Sequence, residues 1–224
     1  MEEMRAEIKI FCIWNCLTQE EVSHPRRVHQ GGDFWVVYHG SIVPPRLPLT
    51  MIEALATTPL TVKLRIIGYE TIGSLGYLQQ MKDEASKLGI SDRIEFVGAL
   101  PTRQDVLKCC QLCDVGLSFV QKKSQDLNQQ TMVGASNKPF DYLACGLALL
   151  VSDLPEWRKT FVDPVYCLAC DPDDPKSIAE ALRWFLEHPE ETRAMGERGR
   201  QRILQEWNYE RQFAPVLERL EGEK

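Results

Sequence analysis

Residues 134–152 read Gly-Ala-Ser-Asn-Lys-Pro-Phe-Asp-Tyr-Leu-Ala-Cys-Gly-Leu-Ala-Leu-Leu-Val-Ser, and they predict a loop, a helix and a strand in succession. Ser136 or Asn137 can cap the helix by accepting a backbone N–H, and Pro139 is tolerated because the first turn requires no N–H from it. Gly146 ends the helix, and the apolar run after it is typical of a strand buried on both faces. The segment therefore predicts a short helix that leads into a buried strand.

The N-terminus of this predicted helix favours a bound phosphate, because its first N–H groups are free and the helix dipole is positive there. Lys138 adds a cation, and Asp141 lies three residues on, on the same face of the helix. A carboxylate in the first turn stabilises the dipole by about 0.3–1 kcal/mol, but it would repel a diphosphate unless it points past the phosphates to neutral hydroxyls such as those of a ribose. An ordinary capped helix with a solvated lysine and aspartate is the alternative, and the segment alone does not decide between them.

Outward from this segment, the chain alternates short apolar strands with amphipathic helices. This alternation predicts a Rossmann-like α/β fold: a doubly wound parallel sheet of about six strands in the order 3-2-1-4-5-6, with helices on both faces. We expect this domain to span residues 33–224 and residues 1–32 to form a linker, in which 8–14 could be a short strand. The predicted strands are 34–38, 62–67, 94–97, 115–119, 147–152 and 165–169. The other predicted helices are 49–57, 75–88, 102–112, 155–161, 175–187, 189–206 and 209–221.

Two loops converge on one site in this topology, because strands one and four are neighbours and their carboxyl ends border the ligand crevice. The loop 39–47 supplies Gly40, Ser41 and Arg46. The glycine lets a backbone approach a phosphate, and the arginine can make a bidentate contact with it. The loop 120–137 is long and polar, as binding loops often are, although a merely mobile surface loop is the alternative. No G-x-G-x-x-G follows strand one and no G-x-x-x-x-G-K-[ST] occurs, which disfavours a nicotinamide dinucleotide and a P-loop nucleotide hydrolase.

The charge balance argues against two classes of partner. Lys plus Arg total 26 and Asp plus Glu total 32, a net charge of −6, so the chain has no general positive field for nucleic acid or an anionic membrane. The N-terminus reads Met-Glu-Glu, the wrong charge for a signal peptide, and no apolar run approaches the roughly 18 residues of a membrane span. We therefore expect a cytoplasmic location, no nucleic-acid partner and no integral membrane segment.

Eight cysteines raise the question of a metal site. Cys110 and Cys113, and likewise Cys167 and Cys170, have the spacing of metal ligands or redox pairs. All four fall in apolar segments, and residues three apart on a strand face opposite sides of a sheet. Buried thiols that pack as small apolar groups are therefore preferred over a zinc site, and no metal is expected.

Four parts of the chain together resemble one protein family. The most specific is Ser136-Asn-Lys-Pro-Phe-Asp-Tyr-Leu-Ala-Cys-Gly146 followed by Leu150-Val-Ser-Asp153. The weaker three are Val37–Ile42 with Arg46 and Met51–Leu55, Leu64–Gly68 with Ile94–Gly98 and Pro101, and Cys113–Ser118. From about residue 8 to residue 220, the chain is similar to the C-terminal, donor-binding domain of a GT-B fold glycosyltransferase of the retaining family-4 type (glycosyl transferases group 1).

This resemblance implies that the ligand is a nucleotide diphosphate sugar built on UDP, GDP or ADP, that a hexose-type sugar is transferred, and that no cofactor is required. It implies that Arg46 and Lys138 act in catalysis by neutralising the diphosphate. Asp141 takes the ribose-binding place that a glutamate usually holds. The remaining donor contacts come from Gly40, Ser41, Gly134, Ala135, Ser136 and Asn137, and the base is bordered by Gly98 and Leu100.

Departures from the family pattern bear on activity. Many relatives have arginine where Ser41 stands and Lys-Gly where Arg46-Leu47 stands, and many have a sugar-holding glutamate where Val133 stands. We expect residues 8–32 to correspond to the linker between the two domains of the fold, so that the acceptor domain, with its frequent catalytic histidine, has no counterpart here. His39 is the only histidine near the predicted site, and a histidine at a strand end is the preferred interpretation over acid–base catalysis.

Two functional hypotheses follow. In the first, the chain is the donor-binding half of a glycosyltransferase and is inactive without an acceptor domain; in the second, it is a non-catalytic Rossmann-like interaction module descended from such an enzyme. A nucleotide-sugar epimerase of the same fold also needs two domains and is less favoured. Apolar residues in 8–14 and a helical stripe would then be uncovered and mark an interface, either of a homodimer or with an acceptor-domain subunit. The stripe comprises Tyr209, Phe213, Val216, Leu217 and Leu220.

Overall fold

The computed structural model describes residues 10–22, 32–122 and 132–222. Its six strands are β1 Phe34–Ile42, β2 Val62–Glu70, β3 Ile94–Gly98, β4 Val115–Ser118, β5 Ala148–Ser152 and β6 Cys167–Cys170. Neighbouring strands are parallel, and their order across the sheet is β3-β2-β1-β4-β5-β6. This is the predicted doubly wound order, so the predicted fold class is confirmed.

Helices cover both faces of the sheet. They are α1 Thr50–Ala56, α2 Tyr77–Lys87, α3 Arg103–Cys110, α4 Asn137–Ala144, α5 Pro155–Trp157, α6 Pro175–Glu187, α7 Pro189–Gln205 and α8 Tyr209–Gly222. The core has two parts: α1, α2 and α6 bury apolar side chains on one face, and α3, α4, α5 and α7 do so on the other. Neighbouring β1 residues divide between them as a two-residue period requires, with Val36 and Tyr38 in the first part and Val37 in the second. None of the described helices is long and apolar enough to cross a membrane.

β1 and β2 are longer than predicted. The sequence suggests that His39-Gly40-Ser41 ends β1 and that Gly68 closes β2, but both strands continue and pair as far as Ile42 and Glu70. The reason is a glycine pair: Gly40 lies opposite Gly68, and both have positive φ, 113° and 146°. A Cβ on Gly68 would lie 1.8 Å from the carbonyl oxygen of Gly40, so only glycine allows this close approach. The glycine pair therefore allows the hydrogen-bonded pairing of β1 and β2 to continue to the carboxyl ends of both strands.

The segment before β1 differs from the prediction as well. Residues 10–16 form no strand, and a single parallel bridge joins Leu17 to Asn208. Trp14 instead packs its ring against Phe140 and Trp207, at centroid distances of 5.8 and 5.5 Å. The predicted strand over 8–14 is therefore wrong for its described part, because side-chain packing rather than backbone pairing fixes this segment. Residues 8 and 9, and residues 123–131 of the predicted loop 120–137, lie outside the described residues.

Two further element boundaries differ from the prediction for local reasons. β6 begins two residues later than predicted, because Val165 has φ of 63° and belongs to a turn. The predicted helix 155–161 consists of one α-helical turn, α5, followed by a π-helical turn at Arg158–Val162. By contrast, α6 has the predicted bounds of 175 and 187.

The preferred interpretation of the cysteines, as buried thiols, is confirmed. Cys110 and Cys113 are fully buried, and Cys167 and Cys170 are 2 % and 3 % exposed. All are free, and burial raises the pKa of each of these thiols. In the part of the chain that the structure describes, no group of three or more His, Cys, Asp and Glu side chains is placed to hold a metal ion.

Candidate functional site

A cavity of about 300 Å³ lies where β1 and β2 end and α4 begins. This is beside the point at which the strand order reverses, between β1 and β4, where doubly wound sheets bind their ligands. The lining residues are His39, Gly40, Ser41, Arg46, Tyr69, Ala135, Ser136, Asn137 and Lys138. The two loops that the sequence assigns to opposite walls of one site therefore do meet, and seven of the eleven predicted site residues line the cavity.

Two cations face this cavity. Arg46 and Lys138 both line it, and within the described part of the chain neither has a carboxylate partner. The Nζ of Lys138 lies 5.5 Å from the centroid of the Tyr38 ring. The lysine stem also passes Gly40 at van der Waals distance, since a Cβ there would be 3.4 Å from the Cε of Lys138. Two cations that line one cavity without a carboxylate partner are suited to a multiply charged anion.

Burial and the neighbouring arginine both act on Lys138. Its pKa falls from 10.5 to about 8, first because desolvation penalises the ammonium and then because Arg46 repels it, while Asp141 acts in the opposite direction. Bringing an anion into the cavity would supply the missing counter-charge. The lowered pKa therefore reflects an ammonium that is desolvated beside a second cation and only partly compensated by Asp141.

α4 begins at the cavity as predicted, with Ser136 at the N-cap position. The predicted capping bond is wrong, however, because the Ser136 side chain accepts no hydrogen bond from the first turn. Ser136 is 8 % exposed and lines the cavity with Ala135 and Asn137. The helix therefore opens toward the cavity without an internal side-chain cap.

Asp141 is held away from the cavity by two basic side chains. It is 2 % exposed, and its Oδ1 accepts a hydrogen bond of 2.5 Å from Nη2 of Arg103. Its Oδ2 lies 3.2 Å from Nε2 of His39. The Nε of Arg103 also lies 2.9 Å from Oε1 of Glu21, which ties the segment before β1 to α4. The contact of Asp141 with a ribose stays a prediction. It requires either Arg103 or His39 to give up its contact with the carboxylate.

Arg103 was not among the predicted site residues, and the sequence contains one indirect signal for it. A carboxylate placed on the buried side of a short apolar helix requires a cation, but nothing in the local sequence indicates which cation supplies it. His39 is also placed differently from the prediction, since it lies within β1 rather than at its end. Its backbone N–H donates to Oη of Tyr142 at 2.9 Å, and its ring packs edge-on against that tyrosine.

Besides Asp141, three predicted donor residues lie outside this cavity. Gly98 ends β3 and Leu100 follows it, and neither is among the lining residues, so their contact with a base stays a prediction. Gly134 lines a second cavity of about 500 Å³ with Trp14 and Glu156, among others. A Cβ on Gly134 would lie 2.8 Å from the Trp14 ring, so this glycine serves the packing of the segment before β1.

The sheet order and the position of the cavity define the class of a Rossmann-like, doubly wound domain with a ligand site at its switch point. A family model described as "Glycosyl transferase-like" matches residues 48–218, more than half of the chain. The chain belongs to this family, and its resemblance to glycosyl transferases group 1 is confirmed. A search of curated protein sequences gave no significant match.

Solved structures share the fold at low sequence identity. HepE from Anabaena, in complex with UDP, has a TM-score of 0.72 and 14 % identity over 94 % of this chain and 57 % of its own. The C-terminal domain of LpcC, a glycosyl transferase group 1 family protein from Francisella tularensis, has a TM-score of 0.68 and 15 % identity over 86 % of this chain and 98 % of its own. Sucrose-phosphate synthase from Thermosynechococcus elongatus gives 0.67 and 18 %, over 87 % and 47 %. The chain thus spans little more than half the length of HepE and nearly all of the LpcC domain.

Proposed function

We propose that this chain binds a nucleotide diphosphate sugar through its diphosphate and forms the donor-binding part of a glycosyltransferase that transfers a hexose-type sugar. The observation that carries the proposal is the pair of cations, Arg46 and Lys138, that line one cavity without a carboxylate partner among the described residues. The structure of HepE with UDP supports a uridine nucleotide as the first candidate.

The same two cations suit the chemistry of transfer. Breaking the bond between sugar and diphosphate places negative charge on the departing phosphate oxygens, and stabilising that charge is the main electrostatic task of the site. A desolvated ammonium interacts with such charge more strongly than one in water. Arg46 adds a delocalised charge that can bind two phosphate oxygens at once.

Binding of nucleotides by calorimetry tests the proposal. We expect at least one of UDP, GDP and ADP to bind, and we expect Arg46→Ala and Lys138→Ala each to weaken that binding by roughly tenfold or more, as loss of a charge-assisted contact does. Lys176→Ala is the matched control, because Lys176 is an exposed lysine that does not line the cavity. Absence of binding by all three nucleotides, or equal affinity of the wild-type chain and both cavity variants, would refute the proposal.

We further propose that an acceptor-binding domain, a separate subunit or a second copy of the chain covers one apolar face. Tyr209, Leu217 and Leu220 on α8 are 46 %, 48 % and 59 % exposed, and Ile10 is 90 % exposed. The three exposed apolar side chains of α8 lie along one face of that helix, and exposed apolar surface of this kind usually marks an interface. Light scattering across a range of concentrations tests for self-association, and a pull-down with an acceptor-domain candidate tests the other case. A strictly monomeric chain without such a partner would contradict the proposal.

Val133 favours a second candidate, the non-catalytic interaction module. It is 6 % exposed and stands where many relatives have a glutamate that holds the donor sugar. A buried valine there cannot make that hydrogen bond. This candidate predicts a stable protein partner together with no affinity for any of the three nucleotides, so the calorimetry separates it from the first.

A further inference from the structure

One exposed aromatic side chain lines the cavity, and the proposed contact with the diphosphate assigns it no role. Tyr69 lines it at the next-to-last position of β2 and is 59 % exposed. Among the described residues, it is the one exposed large apolar side chain that lines this cavity; the exposed Ile72 and Leu75 follow it but lie outside. An exposed aromatic ring at the edge of a charged cavity offers a flat apolar surface to a ligand.

Sheet order places this ring at one end of the cavity. β2 lies on the β3 side of β1, while β4 lies on the other side, where α4 packs against β4 and β5. Tyr69 is opposite Ser41 in the β1–β2 register, whereas Lys138 enters from α4. The cavity therefore has an aromatic end toward β2 and β3 and a charged end toward α4.

We propose that Tyr69 stacks on the base of the bound nucleotide and is the residue that makes the site prefer a nucleoside diphosphate over a bare diphosphate. The proposal rests on the proposed function. With the phosphates on Arg46 and Lys138, a ligand that crosses the cavity toward β2 places its nucleoside part on the ring. Every base has an aromatic face, so stacking accepts uracil, guanine or adenine and leaves the choice of base to other contacts.

Comparison of UDP with inorganic pyrophosphate isolates the contribution of the ring. We expect the Kd of UDP to rise about tenfold in Tyr69→Ala, the change that alanine substitution at a base-stacking side chain gives, while the Kd of pyrophosphate changes less than about twofold. Tyr69→Phe keeps the aromatic face and should bind UDP like the wild-type chain. Ile72→Ala is the matched control, because it removes an exposed apolar side chain three residues on, outside the cavity.

The outcomes separate this inference from the proposed function. If the wild-type chain binds none of UDP, GDP, ADP and pyrophosphate, the diphosphate site itself is refuted. If UDP and pyrophosphate both bind, but Tyr69→Ala leaves UDP unaffected or weakens both ligands equally, the diphosphate site stands and the stacking role is overturned. A thermal melt of Tyr69→Ala controls for folding, and Tyr69→Leu, which keeps apolar bulk without an aromatic face, should weaken UDP in the same way.

Discussion

Raising the pH from 7 to 9 should weaken diphosphate binding about tenfold, because Lys138 loses its proton in that range. Desolvation and the charge of Arg46 lower the pKa of Lys138 to about 8. At that pKa roughly nine tenths of the lysine is charged at pH 7 and roughly one tenth at pH 9. A ligand that binds only the ammonium form therefore loses about a factor of ten in affinity. Arg46 stays charged throughout, so binding weakens without vanishing.

Calorimetry of UDP binding at pH 7, 8 and 9 measures this decline. The terminal phosphate of the ligand has a pKa of about 6, so its own ionisation changes little over this range. Lys138→Met should bind more weakly with no decline above pH 7, and Lys138→Arg should retain its charge and also show no decline. A wild-type affinity that is constant from pH 7 to 9, or a decline of equal size in Lys138→Met, would refute the argument.

The ligand-free chain should respond to pH with the opposite sign. Between pH 8 and 10.5 the unfolded chain keeps a proton on Lys138 that the folded chain has lost, so this group makes the free energy of unfolding rise with pH. The full penalty, on the order of 3 kcal/mol, applies below pH 8, where both states are charged. The difference in unfolding free energy between the wild-type chain and Lys138→Met, measured with urea, removes the contributions of other titrating groups. A difference that does not rise across this window would contradict the assignment.

Three further predictions concern packing, the ion-pair network and the thiols. Gly68→Ala should destabilise the fold by about 3 kcal/mol or more, because the added Cβ would clash with the Gly40 carbonyl. Gly32→Ala is the control: a Cβ there has nothing within 4 Å, so its effect in a thermal melt should be near neutral. Arg103→Met should cost about 2 kcal/mol in urea unfolding, since it leaves a buried carboxylate short of its cation, and the added change Asp141→Asn should recover part of that loss. Of the eight cysteines, Cys12 alone is exposed, whereas Cys16 and Cys109 are partly exposed and burial raises the pKa of each, so a thiol reagent should modify Cys12 fastest. The five buried thiols should react only after unfolding, and a buried thiol that reacts as fast as Cys12 in the native chain would contradict this.

Much of the fold could be predicted from the sequence because buried parallel strands are encoded locally. Ala148–Ser152 and Val115–Ser118 are nearly continuous apolar runs, and right-handed connections leave few ways to order such strands. The order in turn brings the loop after β1 and the start of α4 together, so Arg46 and Lys138 could be assigned to one site without any contact information.

The rest depends on contacts between distant residues. A glycine such as Gly40 usually ends a strand, and only the presence of Gly68 directly opposite lets the ladder continue. Arg103 and Asp141 are 38 positions apart, and no periodicity relates them. In the same way, Tyr69 becomes part of the cavity because β2 is longer than its apolar run indicates.

The position of Asp141 also explains how a carboxylate can lie so close to a predicted phosphate site. A carboxylate at the start of a helix that binds phosphate would oppose the ligand, and Asp141 is only three residues from Lys138. The structure places Arg103 on one carboxylate oxygen and His39 beside the other, so the negative charge is compensated on the buried side of α4. What remains for the cavity is the charge of Arg46 and Lys138. On this argument, removing Arg103 should weaken diphosphate binding even though Arg103 does not line the cavity, because the uncompensated carboxylate would then compete with the ligand for Lys138. Arg103→Met with unchanged affinity for UDP would show that Asp141 is too well screened to act on the site.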